Sequence, residues 1–307
     1  MPYFSPLFPF LAGWLVLLAT RSFSTASLVN GAAQALLFAL VVNIPISRTG
    51  RMSYVDIGWP LGVAVIGAVT WILSGGHGLR VAVVSVVYLF IGLRMGLAAV
   101  HLWRRGHLET ELPRYEYQKQ RWARAHKTNV PLAMQVEASV QGVANAAFLA
   151  YPALIIASNP SPQISSLEIL GLGLWVGAFV METVADAQKT AFLRRMKSEG
   201  KRKQVCNVGL WRYSRHPNYF AEWMVWNALV VASIPSWLAL RASESLVLWL
   251  LLGVGLLFVS RIMYVTLVYY TGAVPSEHYS RLKRPDYEEY QRQTNMFFPG
   301  PVKRSEP

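Results

Sequence analysis

Apolar residues in this chain come in long uninterrupted runs, separated by short polar or basic stretches. Eight runs can be read, at about residues 7–20, 28–46, 57–75, 81–100, 138–157, 166–185, 219–240 and 245–270. Most reach the ~20 residues that carry a helix across ~30 Å of hydrocarbon at ~1.5 Å per residue. None alternates with the period of two that a membrane β-barrel needs. The pattern therefore predicts an all-α, polytopic transmembrane bundle of about eight spans, within a range of seven to nine. The first run is short and flanked by prolines, and the seventh carries Pro235 and Ser236 near its far end. Either can be read as re-entrant or interfacial.

Composition supports a membrane protein and removes other classes. Of 307 residues, 53% are hydrophobic and only 15% charged, where soluble domains carry about 25% charged residues. Mean hydropathy is +0.32. Disorder, a disulfide scaffold and a coiled coil are excluded, and the single cysteine, Cys206, leaves no internal disulfide and no cysteine-based metal cluster. The N-terminus has no basic stretch before its first apolar run, so no cleavable signal peptide is expected.

The net charge of +13, from 29 basic and 16 acidic residues, acquires meaning once placed on the spans. With eight spans and a cytoplasmic N-terminus, 24 of the 29 basic residues fall on one side, as the positive-inside rule requires. Both termini are then cytoplasmic. Most of the charge reports orientation, and no nucleic acid is needed to explain it. The expected partners are the lipid bilayer and a hydrophobic small molecule; the sequence does not speak to oligomeric state. The location is an integral, multi-pass one, in the plasma (inner) membrane of a bacterium or the endoplasmic reticulum of a eukaryote. The two halves differ: residues 1–136 have short connections and few polar groups, whereas residues 137–307 have basic loops and ionisable residues within spans.

Charged groups inside spans cost on the order of 2.5–3.5 kcal/mol each, so Arg94, Glu182, Asp186, Glu222 and Arg261 need reasons. Glu182, Asp186 and Lys189 share a helix face and read either as an interfacial salt bridge or as a polar wall of a ligand cavity. Gly209-Leu-Trp-Arg-Tyr-Ser-Arg-His-Pro-Asn-Tyr-Phe-Ala-Glu222 gathers Arg212, Arg215 and His216 just before a span. Pro217 suits the first turn of that helix, and Asn218 and Glu222 share its face. Guanidiniums, an imidazole and helix N-terminal N–H groups suit phosphates or a carboxylate; contact with lipid headgroups is the alternative. Gly171, Gly173 and Gly177 lie within an apolar helix and point to close helix packing rather than dinucleotide binding. The tail, Pro275 to Pro299, reads as an amphipathic helix on the membrane or a lid over the anion site. Asp56, at the entrance to the third span, reads as a cap or a hydrogen-bonded structural group. His101 and His107 lack the companions a metal site needs, and no metal is expected.

The Gly209–Glu222 segment with its Arg-His-Pro-Asn-Tyr core, the upstream Glu182-x-x-x-Asp186-x-Gln188-Lys189, and the tail Asp286-Tyr-x-x-Tyr-Gln-x-x-Thr-x-x-Phe-x-Pro299 together resemble the steroid 5-alpha-reductase C-terminal superfamily, in its mostly bacterial membrane branch. The motifs cover about residues 175–300; the first half is similar mainly in span layout. The resemblance implies an NADPH-dependent reductase of a conjugated carbon–carbon double bond in a steroid- or lipid-like substrate, an oxidoreductase acting on CH–CH groups. It implies cofactor contacts from Asp186, Arg215, His216, Asn218, Glu222 and Tyr279, to which Glu182, Lys189 and Arg212 are added as neighbours. It further implies that Asp56 polarises the enone carbonyl, with a tyrosine partner for which the chain offers Tyr54 or Tyr88. Ala221 stands where the family motif commonly has glycine.

Arg-His-Pro is also shared with isoprenylcysteine carboxyl methyltransferase and phospholipid methyltransferases, which use S-adenosylmethionine. A methyltransferase of that kind and a non-catalytic membrane protein are the alternatives. A methyltransferase cofactor has no phosphates and less need of guanidiniums. Transporter-like inverted repeats are not seen.

Overall fold

The computed structural model describes residues 3–303, and among them every regular element is helical. The long helices are α2 (Ser24–Thr49), α3 (Met52–Leu73), α4 (Gly78–Arg104), α6 (Val130–Ser158), α7 (Ser166–Ser198) and α8 (Pro217–Ala242). A seventh runs from Leu246 to Lys283. It comprises α9 (Leu246–Val265), a π-helical turn at Thr266–Tyr270, and α10 (Ala273–Lys283). These seven are long and apolar enough to cross a membrane; α1 (Ser5–Leu18) is apolar but shorter. The eight expected runs thus become seven full-length helices and one short one. α5 (Pro113–Arg124) and α11 (Tyr287–Gln293) are polar. The seventh apolar run is not re-entrant: α8 passes through Pro235 over 26 residues.

Breaks in the helices have local causes. Pro45 has no N–H for the Val41 carbonyl, and a π-helical turn at Ala39–Asn43 leads into it. α6 breaks at Ala147, whose φ of -99 and ψ of -112 leave the helical region. Two side chains supply donors there: Asn30 Nδ2 to the Asn145 carbonyl at 3.2 Å and the Tyr88 hydroxyl to the Leu149 carbonyl at 2.8 Å. The bend between α9 and α10 falls at Gly272, which lies so close to the Leu267 carbonyl that no side chain would fit.

Contacts group the chain into two compact units, one of residues 1–169 with 229–259, the other of residues 170–228 with 260–307. The first unit is less apolar than its sequence suggests. Asn30, Gln34 and Asn145 are buried and hydrogen-bonded to one another, and they also reach the Gly62 and Trp59 carbonyls at 2.8 and 3.0 Å. Buried carboxamides of this kind bind helices together in lipid. Glu168 holds the buried Arg80 bidentately, Nε to Oε1 at 2.6 Å and Nη2 to Oε2 at 3.0 Å, while the Ser161 and Gln163 carbonyls each accept a further N–H. Trp237 and Trp249 stack at 4.5 Å, each indole donating to the other's carbonyl at 2.9 Å. One packing expectation fails: a side chain added at Gly173 or Gly177 would meet nothing within 4 Å. Those glycines do not mediate close packing among the described residues.

Candidate functional site

In the second unit, the Gly209–Glu222 segment is fastened to the end of α7. Gly209 has φ +55, and the Gln188 side chain occupies the place its Cβ would take, so glycine is required twice over. Gln188 Oε1 accepts from the Leu210 N–H at 2.8 Å, and the Trp211 indole donates to the Ala185 carbonyl at 2.8 Å. Pro217 then opens α8, where its missing N–H costs no helical bond. This brings two sequence motifs together: Asn218 Nδ2 donates to Asp186 Oδ1 at 3.0 Å. The side-chain oxygen of Asn218, Oδ1, is buried and has no hydrogen-bond partner. Lys189 Nζ lies 4.2 Å over the Trp211 ring. Glu182 and Glu222 are half-buried and engaged in further contacts. Arg212 is exposed. Tyr279, on α10, contacts His278 edge-on and faces Lys283.

Arg215 and His216 are spent on the protein itself. Arg215 Nε and Nη2 grip Glu277 bidentately at 2.7 and 3.1 Å, and Nη1 donates to the Gln291 and Thr294 carbonyls. His216 Nε2 lies 3.1 Å from the same carboxylate, and Gln291 Nε2 donates to its other oxygen at 2.6 Å. The Arg215 and Glu277 side chains are 8% and 6% exposed. Four of the five guanidinium N–H groups therefore have protein acceptors. Burial pushes the His216 pKa down, against the pull of the Glu277 carboxylate. The anion that these two residues hold among the described residues is the Glu277 carboxylate.

The tail is not one helix, and it lies against the basic segment, where the lid reading put it. It breaks at 284–286 into α10 and α11, and the strand-like stretch after α11 is laced to the basic segment. Arg215 N–H donates to the Asn295 carbonyl at 2.9 Å, Ser214 Oγ to Phe297 at 2.8 Å, and Gly300 N–H to Tyr213 at 3.0 Å. The Tyr290 hydroxyl donates to the Trp211 carbonyl. Phe297 packs against Phe220, Trp223 and Tyr264 with ring centroids 5.3–6.0 Å apart.

The second cluster lies in the first unit. Asp56 sits at the start of α3, its side chain 22% exposed. Arg114 pairs with Oδ2, and the Tyr115 hydroxyl donates to Oδ1 at 2.6 Å. Burial, reinforced by the Asp56 charge, holds the Tyr115 hydroxyl well above the usual tyrosine range. α5 presents Tyr115, Gln118 and Trp122 inward, one helix face at helical spacing. Glu111 fixes the approach to α5 by accepting from the Met52 and Ser53 N–H groups at 2.8 and 3.1 Å. Of the expected tyrosine partners, Tyr54 packs into the apolar cluster around Met52 and Trp122, and the Tyr88 hydroxyl donates to the Leu149 carbonyl. The tyrosine hydrogen-bonded to Asp56 is Tyr115, which comes from the basic stretch between spans.

Three residues in these clusters were not singled out from sequence: Glu277 as the partner of Arg215, and Arg114 and Tyr115 as partners of Asp56. The 3.6-residue spacing of Tyr115, Gln118 and Trp122 was a usable signal. Nothing local marks Glu277. Among the described residues no group of three His, Cys, Asp or Glu side chains is placed to hold a metal.

No curated protein and no solved structure matches the chain. A family described as "Protein of unknown function (DUF1295)" matches residues 44–294, a stretch that takes in Asp56, Tyr115, both halves of the Asp186–Asn218 contact and Glu277. The chain belongs to this DUF1295 family, which is associated with steroid 5-alpha-reductase-like proteins.

Proposed function

We propose that the protein is a membrane-embedded, NADPH-dependent reductase of a conjugated carbon–carbon double bond in a hydrophobic, steroid- or lipid-like substrate. The observation that carries this reading is the Asp186–Asn218 hydrogen bond, which joins the two polar motifs through which the sequence resembles such reductases. The residues present fit the cofactor in kind. The unpartnered, buried Asn218 oxygen suits an amide or hydroxyl donor, and Lys189 and Arg212 offer cations to phosphates. Glu182, Glu222 and Tyr279 complete the polar set assigned to it. Arg215 and His216 act at one remove, by holding the tail against the segment that carries Asn218. NADPH, when bound, supplies the hydride.

Hydride addition to an enone builds negative charge on the carbonyl oxygen, which preorganised donors stabilise. Asp56 orients the Arg114 guanidinium as such a donor and accepts the single O–H of Tyr115, which serves a substrate oxygen only by turning from Asp56 to it. In this reading Asp56 is a positioning residue and Tyr115 holds the proton. Tyr54 has no part in the chemistry.

Thermal unfolding in detergent tests the assignment, because a ligand that binds only the folded state raises Tm. NADPH should raise it more than S-adenosylmethionine does. The reverse order would replace the reductase by a methyltransferase, and no response to either would leave a non-catalytic membrane protein.

A further inference from the structure

Of the five charged groups that the sequence places inside spans, four are engaged: Asp186 accepts from Asn218, and Arg94, Glu182 and Glu222 have contacts of their own. Arg261 is the exception. It is exposed and has neither an ion pair nor a side-chain hydrogen bond among the described residues. Its helix shows which medium it meets. Along α9, Val247, Leu250, Val254 and Leu257 are each half or more exposed, and Arg261 continues their stripe at helical spacing. An exposed apolar stripe on a span faces lipid. Arg261 lies about 22 Å along the helix from Leu246, short of the ~30 Å that the hydrocarbon measures. Trp223 gives the same level from the other end. Its indole donates to the Ser260 carbonyl at 3.1 Å, and it stands about 9 Å along α8 from Pro217, where that helix starts. A guanidinium at that depth extends along its stem to the headgroups and does not stay in hydrocarbon.

The level it reaches carries an aromatic wall. Tyr264, one turn on from Arg261, has the Trp223 ring edge-on at 6.1 Å and the Phe298 ring stacked at 6.1 Å. Tyr269 meets it edge-on at 6.2 Å, and both Tyr269 and Phe298 are about half exposed. Tyrosine and tryptophan rings gather where hydrocarbon meets headgroups. The partner that a lone guanidinium takes there is a phosphate, whose paired oxygens match its fork of N–H groups. No carboxylate neutralises Arg261 among the described residues, so the headgroup that completes it carries a net negative charge. We propose that Arg261, against the wall of Trp223, Tyr264 and Phe298, binds the headgroup phosphate of an anionic phospholipid from the leaflet on the basic-loop side. A zwitterionic headgroup brings its own cation to the phosphate and suits the site less well. The site does not rest on the reductase reading.

Native mass spectrometry of the full-length protein tests this. The protein is transferred to mild detergent from nanodiscs holding equal amounts of phosphatidylcholine and phosphatidylglycerol, and the lipids that stay bound are counted. One phosphatidylglycerol should be retained in preference to phosphatidylcholine. Arg261→Gln should weaken that retention roughly ten- to a hundredfold, as for a lost charge-assisted hydrogen bond, and Arg261→Lys should keep part of it. Because Arg261 pairs with no acid, Tm in lipid-free detergent should be the same in all three proteins, which separates loss of the site from loss of the fold. Lys197→Gln removes an exposed cation at the end of α7 and should change nothing. Glycerol 3-phosphate, the same chemistry without acyl chains, should not displace the lipid. The proposal is overturned if Arg261→Gln retains phosphatidylglycerol like the parent, or if phosphatidylcholine is held equally well. An equal loss in Lys197→Gln also overturns it, by reducing the effect to general attraction from the basic loops. Displacement by glycerol 3-phosphate does so in favour of a free phosphate as the ligand.

Discussion

Each unit contains one carboxylate that captures an arginine and a second aromatic or imidazole group from a distant part of the chain, yet the two centres are built for different ends. Around Glu277, Arg215 is 8% exposed and its donors go to one carboxylate and two carbonyls, while Gln291 and His216 complete the carboxylate. That centre is closed. Around Asp56, the carboxylate is 22% and Arg114 34% exposed, and the partners come from a short polar helix instead of a span. That centre is partly open, through Asp56 and Arg114, while Tyr115 itself is buried. The difference shows that a conspicuous basic motif is not by itself a ligand site: the closed centre lies in the motif that draws the eye, and the partly open one beside an acid that reads as a cap.

The comparison breaks most easily at the closed centre. Removing one partner of a buried pair strands the other charge and typically costs about 3–5 kcal/mol. Glu277→Gln, which keeps the shape, and Arg215→Ala should both lower Tm sharply in detergent and expose the tail after Lys283 to limited proteolysis. Unchanged Tm with weakened NADPH binding in Arg215→Ala would show that the arginine serves the ligand after all. At the open centre the expectation is inverted. Asp56→Asn and Tyr115→Phe weaken a hydrogen bond to a charged carboxylate, worth about 1.5–3 kcal/mol to stability, but should slow reduction by roughly 10²–10⁴-fold with cofactor affinity retained. Tyr54→Phe is the control and should leave the rate unchanged. If Tyr54→Phe slows reduction and Tyr115→Phe does not, the assignment of the proton to Tyr115 is wrong.

The spans were legible because the length and composition of an apolar run directly encode the thickness it must cross, and one number, ~20 residues, suffices. The anion character of the Arg212–His216 segment was legible for a similar reason, since guanidiniums and an imidazole ahead of a proline-started helix define a chemistry by residue type alone. What decides how that chemistry is used is a partner remote in sequence. Glu277 lies in a tail with several other charges, two of its glutamates being paired locally, Glu289 with Arg292 and Glu288 with Arg281, so nothing in its surroundings sets it apart. Tyr115 was hidden differently: it stands in a stretch that registers first as positive charge between spans, and the apolar face of α5 emerges only when Tyr115, Gln118 and Trp122 are read at helical spacing. The break in α6 was equally hidden. No glycine or proline stands at Ala147, and the donors that make the break tolerable, Asn30 and Tyr88, come from other helices.

The smallest expected effect distinguishes the two centres by pH. Burial lowers the His216 pKa, with Arg215 and Lys189 acting in the same direction and Glu277 opposing them. The folded protein therefore binds this proton less readily than the unfolded chain, whose histidine titrates near ~6.5. The stability carried by neutral His216 is complete above that value and is lost as pH falls past it through the folded pKa. Acidification from pH 7.5 to 5.5 should loosen the tail, read as faster proteolysis after Lys283 and a modest fall in Tm, and His216→Gln should flatten both responses. The Asp56 centre contains no histidine, and reduction rates normalised to the folded fraction should not follow the same curve. A rate that tracks the tail's titration even in protein shown to be fully folded would mean that the Glu277 centre reaches the chemistry, and that the closed centre is not merely a clasp.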